Sequence, residues 1–194
     1  MQKKDVIQFF DRYAPQWDAD MIIDDQIVSL ILDNASVSKD KHCLDVACGT
    51  GVLTPYYLDR KVASLTGVDI SPEMIRIAKN KFTQPTVQFI CGDIETEVIE
   101  RDFDCVVMYN AFPHFADPEQ IISVLAGLLA PGGLLTVAHG MSREAINHHH
   151  SGAASKVSNG LPSAEELSHV FAKYLDVTTL IDDDRMYQVV GRRR

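Results

Sequence analysis

The stretch that decides the fold is Leu44-Asp45-Val46-Ala47-Cys48-Gly49-Thr50-Gly51. It begins as an apolar run of strand length and ends as a Gly-x-Gly turn, after which helix-forming residues follow. Glycines at a strand-to-helix turn let the backbone approach a ligand and allow positive φ angles that other residues resist. Gly-x-Gly alone is a weak signal, but Asp69 ends the next strand-like run, twenty positions after Gly49. A carboxylate at that place can accept hydrogen bonds from both vicinal hydroxyls of a ribose, so the pair of features points to a nucleoside-containing ligand.

Outward from this turn, strand-length apolar runs alternate with amphipathic helix-length segments. That alternation specifies a parallel sheet covered on both faces. The strands read as residues 42–47, 64–70, 86–91, 103–109 and 133–139, with two more polar ones at about 175–181 and 186–191. The short Asp182-Asp183-Asp184 link makes these last two a hairpin, so one of them runs antiparallel. Helices are announced by their caps. Ser71-Pro72 precedes Met74, Ile75, Ala78 and Phe82 at helical spacing, and Asp117-Pro118 precedes Ile121, Ile122, Leu125, Leu128 and Leu129, with Gln120 placed as in a capping box. Ser163-Ala164-Glu165-Glu166 is a full capping box, and two further helices carry Val6, Phe9, Phe10 and Tyr13, then Ile27, Val28, Ile31 and Leu32. The expected fold is α/β: a doubly wound seven-stranded sheet, mostly parallel with one antiparallel strand near the C-terminus, under an N-terminal helical cap. One domain is expected, divided into a cap (1–36), a ligand-binding core (37–140), an insert over the site (141–162), and a last helix and strand pair (163–194).

The chain has 194 residues and a formal net charge of −9, from 27 acidic and 18 basic side chains. A sequence-nonspecific nucleic-acid binder needs a basic face to displace counterions, which this balance disfavours. No run approaches the roughly 18 to 20 apolar residues that span a bilayer, and the N-terminus lacks the apolar core of a signal peptide. The expected location is therefore cytoplasmic. Cys43, Cys48, Cys91 and Cys105 are widely spaced and read as small buried hydrophobes rather than a disulfide or zinc framework.

A pyrophosphate site wants a third glycine where this chain has Thr54, and Asp45 would repel a pyrophosphate while suiting an ammonium group. That favours the aminocarboxylate end of S-adenosylmethionine over a dinucleotide. At this point the sequence resembles the class I S-adenosylmethionine-dependent methyltransferases, and among them the small-molecule branch (type 11) that includes ubiquinone and menaquinone methyltransferases. LDVACGTG matches that group's first motif, with Ala47 where other members often have glycine. GVDISPEMI (67–75), CGDIE (91–95), FDCVVMYNAFPHF (103–115) and LLAPGGLLTVAH (128–139) match the later ones in order, and FFDRYAPQWD (9–18) is similar to the N-terminal cap. The resemblance implies a Rossmann-like fold and a role for each matched residue. Gly49 and Gly51 would pass the methionine portion, beside Ala47, with Asp45 oriented toward its ammonium. Asp69 would hold the ribose, Ile70 and Met74 pack on the adenine, and Asp93 and the Ile94 N–H meet its polar edge. Asn110 would close the floor near the sulfonium, with Tyr13 and Trp17 as a lid. The product would be S-adenosylhomocysteine.

Two histidines are candidate catalytic groups. His114 lies in the loop after the fourth strand, where acceptor-facing groups gather, and an unperturbed imidazole with a pKa of ~6.5 can take a proton at neutral pH. His139 ends the fifth strand and is expected over the same opening. Asn147 and the run His148-His149-His150 follow it. Consecutive helical residues point about 100° apart, so the three cannot share one metal. No metal site is assigned, but His114, His139 and His148 are the candidates. The glycine- and serine-rich stretch 151–162 reads either as a surface connection or as a flap. The leading expectation is methyl transfer to a small-molecule acceptor by a monomer or homodimer, with no nucleic acid and no membrane insertion. One alternative is a non-catalytic or metal-assisted ligand-binding protein using His139 and His148–His150. Another is a dinucleotide oxidoreductase.

Overall fold

The computed structural model describes residues 1–97, 99, 102–150 and 156–194, with His149 and His150 given by their backbone alone. The strands are β1 (His42–Val46), β2 (Ser64–Asp69), β3 (Val87–Cys91), β4 (Phe103–Tyr109), β5 (Leu129–His139), β6 (Asp176–Asp182) and β7 (Tyr187–Arg192). They form one sheet in the order β3-β2-β1-β4-β5-β7-β6. The first five are parallel, and β7 runs antiparallel to both β5 and β6. The C-terminal hairpin expected from its aspartate link is present, and its second strand is the antiparallel one. From β1 the chain winds outward to β2 and β3, then crosses back to β4 on the other side. Loops leaving β1 and β4 therefore diverge, and a crevice opens at their carboxyl ends.

The helices are α1 (Lys3–Tyr13), α2 (Trp17–Asp20), α3 (Asp25–Asn34), α4 (Thr54–Asp59), α5 (Pro72–Lys81), α6 (Pro118–Ala126), α7 (Arg143–His150) and α8 (Ala164–Phe171). Their starts follow the capping residues. Ser71 Oγ accepts the Met74 N–H at 3.2 Å, and Asp117 accepts from the Glu119 and Gln120 N–H groups at 3.0 Å. Ser163 and Glu166 make the reciprocal capping box. Among the described residues no helix is long and apolar enough to cross a membrane.

Three sequence expectations change. Leu128 and Leu129 do not continue the α6 stripe: the helix ends at Ala126 with Gly127 as its C-cap, and Leu129 pairs with Phe103 as the first residue of β5. Phe82 leaves α5 with extended backbone (φ −127°), and its ring fills the space beside Gly51. Cys91 is exposed, because β3 is an edge strand, whereas Cys43, Cys48 and Cys105 are buried as expected. Contact with Cys105 and burial raise the Cys43 thiol, so it stays protonated. Of the stretch 151–162, residues 151–155 lie outside the described residues. The remainder folds on the loop after β4, where Asn159 donates from its backbone N–H to Pro113 O at 2.8 Å and from its side chain to the Phe115 and Ala116 carbonyls at 3.2 Å.

The cap is tied to the sheet through a buried amide. Gln188, on β7 and without solvent exposure, donates to Ile31 O at 2.9 Å and accepts from Asn34 Nδ2 at 2.8 Å. Truncation would deprive the half-buried Asn34 amide of its partner, remove one of the two bonds to Ile31 O and leave a small void. Gln188→Ala is expected to lower the free energy of unfolding by about 2 kcal/mol, read from urea denaturation, with unchanged far-ultraviolet circular dichroism.

Candidate active site

The crevice at the β1 and β4 ends is a cavity of about 1160 Å³, counting its solvent-open mouth. The ends of β1 to β4 all contribute to its wall: Asp45, Ala47 and Gly49 from β1 and its turn, Asp69 and Ile70 from the end of β2, Asp93 and Ile94 just after β3, and Tyr109 and Asn110 from the end of β4. Met74 of α5 lies beneath, and Lys3, Val6, Phe10, Trp17 and Met21 of the cap lie above.

Backbone strain marks the two central strand ends. Ala47 and Asn110 both take left-handed φ values of 54°, which cost an L residue free energy and favour glycine. That conformation gives a physical reason for the glycine which related motifs often carry at the position of Ala47. Gly49 (φ 56°) leaves open backbone between the Trp17 indole nitrogen and the Met74 sulfur. The loop is held by Asp69, whose Oδ2 accepts the Gly49 N–H and whose Oδ1 accepts the Ser71 N–H, each at 2.8 Å. A carboxylate has about four acceptor positions, so two bonds leave capacity for a ligand's hydroxyls.

The charges are concentrated. Asp45 is 2% exposed, and burial, with the Asp69 charge adding to it, pushes its carboxyl up to about 8. Burial pushes Asp69 up to about 6, against the Ser71 and Gly49 N–H groups that favour its anion. Asp93 accepts the Glu95 N–H at 3.1 Å, and Lys3 of α1 bridges the Asp93 and Glu95 carboxylates. At the other end, Asn110 Oδ1 accepts the Gly140 N–H at 3.1 Å, and the Tyr109 hydroxyl lies against Gly140, leaving no room for a Cβ there. His114 Nδ1 is 2.6 Å from Val157 O, and its ring meets the Phe10 ring edge-to-face with centroids 5.0 Å apart. A carbonyl can only accept, so Nδ1 carries the proton and the neutral ring keeps its lone pair on Nε2. Burial lowers the His114 pKa, which favours that neutral form.

Residues 44–137 match the family model described as a methyltransferase domain. The chain belongs to the S-adenosylmethionine-dependent methyltransferases. It is similar to two malonyl-[acyl-carrier protein] O-methyltransferases. That of Acetivibrio thermocellus is 33% identical over 70% of this chain and 49% of its own length, and that of Priestia megaterium is 32% identical over 83% and 64%. The chain thus spans about half to two thirds of these relatives. Among solved structures, the N-methyltransferase NodS of Bradyrhizobium japonicum, in complex with S-adenosyl-L-homocysteine, has a TM-score of 0.73 at 16% identity. The alignment covers 96% of this chain and 97% of that one, a likeness of fold alone.

Most of the site residues that the methyltransferase resemblance implied lie on the cavity wall: Trp17, Asp45, Ala47, Gly49, Asp69, Ile70, Met74, Asp93, Ile94 and Asn110, with His114 beside them. Three named residues lie elsewhere. Gly51 (φ 81°) is packed against Phe82 and Thr54 and serves the turn rather than the wall. Tyr13 stacks on Phe9 at 4.7 Å, turned away from the cavity. His139 does not join His114. It is fully buried, β5 pairs with β7 as far as His139 opposite Tyr187, and the two rings meet edge-to-face at 5.9 Å. Pairing with β7 therefore seals His139 inside the sheet's second half. His148 is exposed on α7. Among the described residues no three His, Cys, Asp or Glu side chains come together as a metal site. The side chains of His149 and His150 lie outside the described residues.

The sequence reading passed over Lys3, Phe10, Met21, Tyr109 and Phe115, all on the wall. Lys3, Val6 and Phe10 sit at i, i+3 and i+7 of α1, a spacing that puts them on one helix face, and that signal was present in the sequence.

The raised Asp45 and Asp69 carboxyls imply a pH dependence of stability. Each holds its proton in the folded state at pH values where the unfolded chain has lost it, so stability falls as pH rises from about 4 toward the folded pKa. Between pH 6 and 8 Asp45 dominates, and the unliganded protein is expected to lose on the order of 2 kcal/mol. Asp45→Asn should flatten this loss, as read from denaturation midpoints at the two pH values. An unchanged slope in that variant would show that Asp45 is not the buried acid.

Proposed function

We propose that this chain transfers a methyl group from S-adenosylmethionine to a small-molecule acceptor. The observation that carries this reading is the convergence on one cavity wall of Asp45, Gly49, Asp69, Met74, Asp93 and Asn110, drawn from four consecutive strand ends and from α5. The open backbone at Gly49 and the spare acceptor capacity of Asp69 fit a nucleoside with an amino-acid arm.

Asp45 takes the ammonium, Asp69 the ribose hydroxyls, Ile70 and Met74 the faces of the adenine, and Asp93 with the Ile94 N–H its polar edge. Asn110 closes the floor beneath the reacting carbon, and Trp17 covers it. When bound, S-adenosylmethionine supplies a methyl group already activated by a positive sulfur. What remains for the protein is alignment and exclusion of water, together with removal of a proton where the acceptor carries one. His114 is the group for that proton, since its neutral form keeps a lone pair on Nε2 while Val157 fixes Nδ1. The cap (1–36) covers the acceptor, and the described residues 156–162 of the insert pack on the loop after β4 that borders it. A net charge of −9 disfavours nucleic acid in that role.

Calorimetry with S-adenosylhomocysteine tests the reading. An ammonium favours ionised Asp45, so below about pH 8 binding must expel the Asp45 proton, and affinity is expected to rise with pH. From pH 6 to 8 the rise should approach about tenfold per unit, with up to about one proton released, read from buffers of different ionisation enthalpy. Asp45→Asn should abolish the proton release, and Asp69→Ala should weaken binding by about tenfold or more. No binding at high micromolar ligand, or wild-type affinity in Asp69→Ala, would sink the proposal.

A further inference from the structure

The cavity divides into two chemically unlike halves. Every carboxylate on its wall, Asp45, Asp69, Asp93 and Glu95, belongs to the side formed by β1, β2 and β3. Among the described residues its one cationic side chain is Lys3, and that ammonium is already shared between Asp93 and Glu95. Beyond β4 the wall changes to Ala111 and Phe115, with Phe10 of the cap set against His114. The polar side chains at this end are Tyr109, Asn110 and His114, all uncharged at neutral pH once burial has raised the tyrosine and lowered the histidine. Phe10 stands edge-on between Trp17, 5.7 Å away, and His114, so aromatic surface roofs this half. Apolar residues also follow Met21 in the chain, where Ile22 is 98% exposed.

An anion entering the second half would give up its hydration, meet no side-chain cation among the described residues, and face across the cavity the Asp69 carboxylate and the Asp93 and Glu95 pair that a single lysine bridges. Burying an unpaired carboxylate costs several kcal/mol, whereas an apolar body gains about 25 cal/mol for each Å² removed from water. A hydroxyl or thiol of modest acidity has what it needs there: a hydrogen-bond partner in Tyr109 or Asn110 and a neutral imidazole to receive its proton.

Resting on the methyltransferase reading above, we propose that the acceptor is an uncharged, largely apolar molecule. Acceptors that present a free carboxylate or phosphate, such as a malonyl group, are excluded by the wall. Specificity lies in charge as much as in shape.

A matched pair of fluorescent probes tests this without knowledge of the natural acceptor. N-phenyl-1-naphthylamine is uncharged, and 8-anilinonaphthalene-1-sulfonate has the same ring skeleton with one added anion. In protein saturated with S-adenosylhomocysteine, the uncharged probe should bind once per chain and at least about tenfold tighter than the sulfonate. Met21→Arg, which adds a cation to the cavity wall, should shift that ratio by about tenfold or more toward the sulfonate. Met21→Leu should keep the wild-type ratio. A sulfonate that binds as tightly as its neutral partner, absence of binding by both, or a ratio indifferent to Met21→Arg would each overturn the proposal. Failure of S-adenosylhomocysteine to bind would instead overturn the cofactor reading, and the probe ratio in unloaded protein would still decide the charge preference of the chamber.

Discussion

The Asp69 carboxylate accepts the Gly49 N–H on one oxygen and the Ser71 N–H on the other, and these two bonds join the three pieces from which the site is made. Gly49 belongs to the turn leaving β1, Asp69 ends β2, and Ser71 caps α5. With all three fixed to one side chain, the glycine backbone, the carboxylate and the Met74 side chain keep their spacing in the absence of a ligand. The same placement is costly. It sets Asp69 near the more deeply buried Asp45, and each carboxyl is held above its ordinary range, chiefly by burial. The empty site thus avoids an unfavourable charge pair by keeping Asp45 protonated, and a cationic ligand binds best once that proton has left.

Strain has a similar distribution. Left-handed backbone at Ala47 and Asn110 sits at the ends of β1 and β4, the two strands flanking the point where the winding reverses. At Asn110 the strain is offset by bonds on both sides, since its N–H donates to Ala138 O at 2.9 Å and its Oδ1 accepts from Gly140. Ladders on both sides of β1, and on both sides of β4 from Cys105 onward, over-determine both positions. Departures from ordinary geometry therefore collect where close ligand approach is needed, and the sheet behind them supplies the rigidity.

The parallel core was legible because buried parallel strands leave an unbroken apolar run and their helices start at recognisable caps. β1, β2 and β4 fall within one residue of their expected limits for that reason. Leu128 and Leu129 were misassigned because two leucines continue a helical stripe as well as they begin a strand, and the arbiter, Gly127 as a C-cap, is a weak signal. The cofactor side of the site was legible because its residues lie next to strand ends in the chain. His139 was misplaced although it too ends a strand. Whether a strand end faces the crevice depends on its neighbour, and the pairing of β7 with β5 is a contact between residues about 50 apart that no local pattern encodes. Cap residues such as Lys3 and Phe10 suffer from the same limit. Their helix face can be read from spacing, but the surface it meets cannot.

The cap also differs from the core in what holds it. Val6 is the one buried residue of α1. Its remaining attachments are largely polar and at or near the surface. Lys3 bridges Asp93 and Glu95, and Asp11 accepts from the Ser71 hydroxyl at 2.6 Å and the Glu73 N–H at 3.2 Å. Asp18 accepts from the Thr50 hydroxyl and pairs with Lys81 at 2.7 Å. Exposed pairs of this kind are each worth about 0 to 1 kcal/mol, so opening α1 and α2 costs far less than disturbing the sheet. Apart from the Lys81 pair, these contacts fall at or shortly after the ends of β1, β2 and β3, the strands whose ends line the cavity. The seating of the cap and the shaping of the site are consequently coupled, and the element that covers the cavity is held more by polar contacts than by burial.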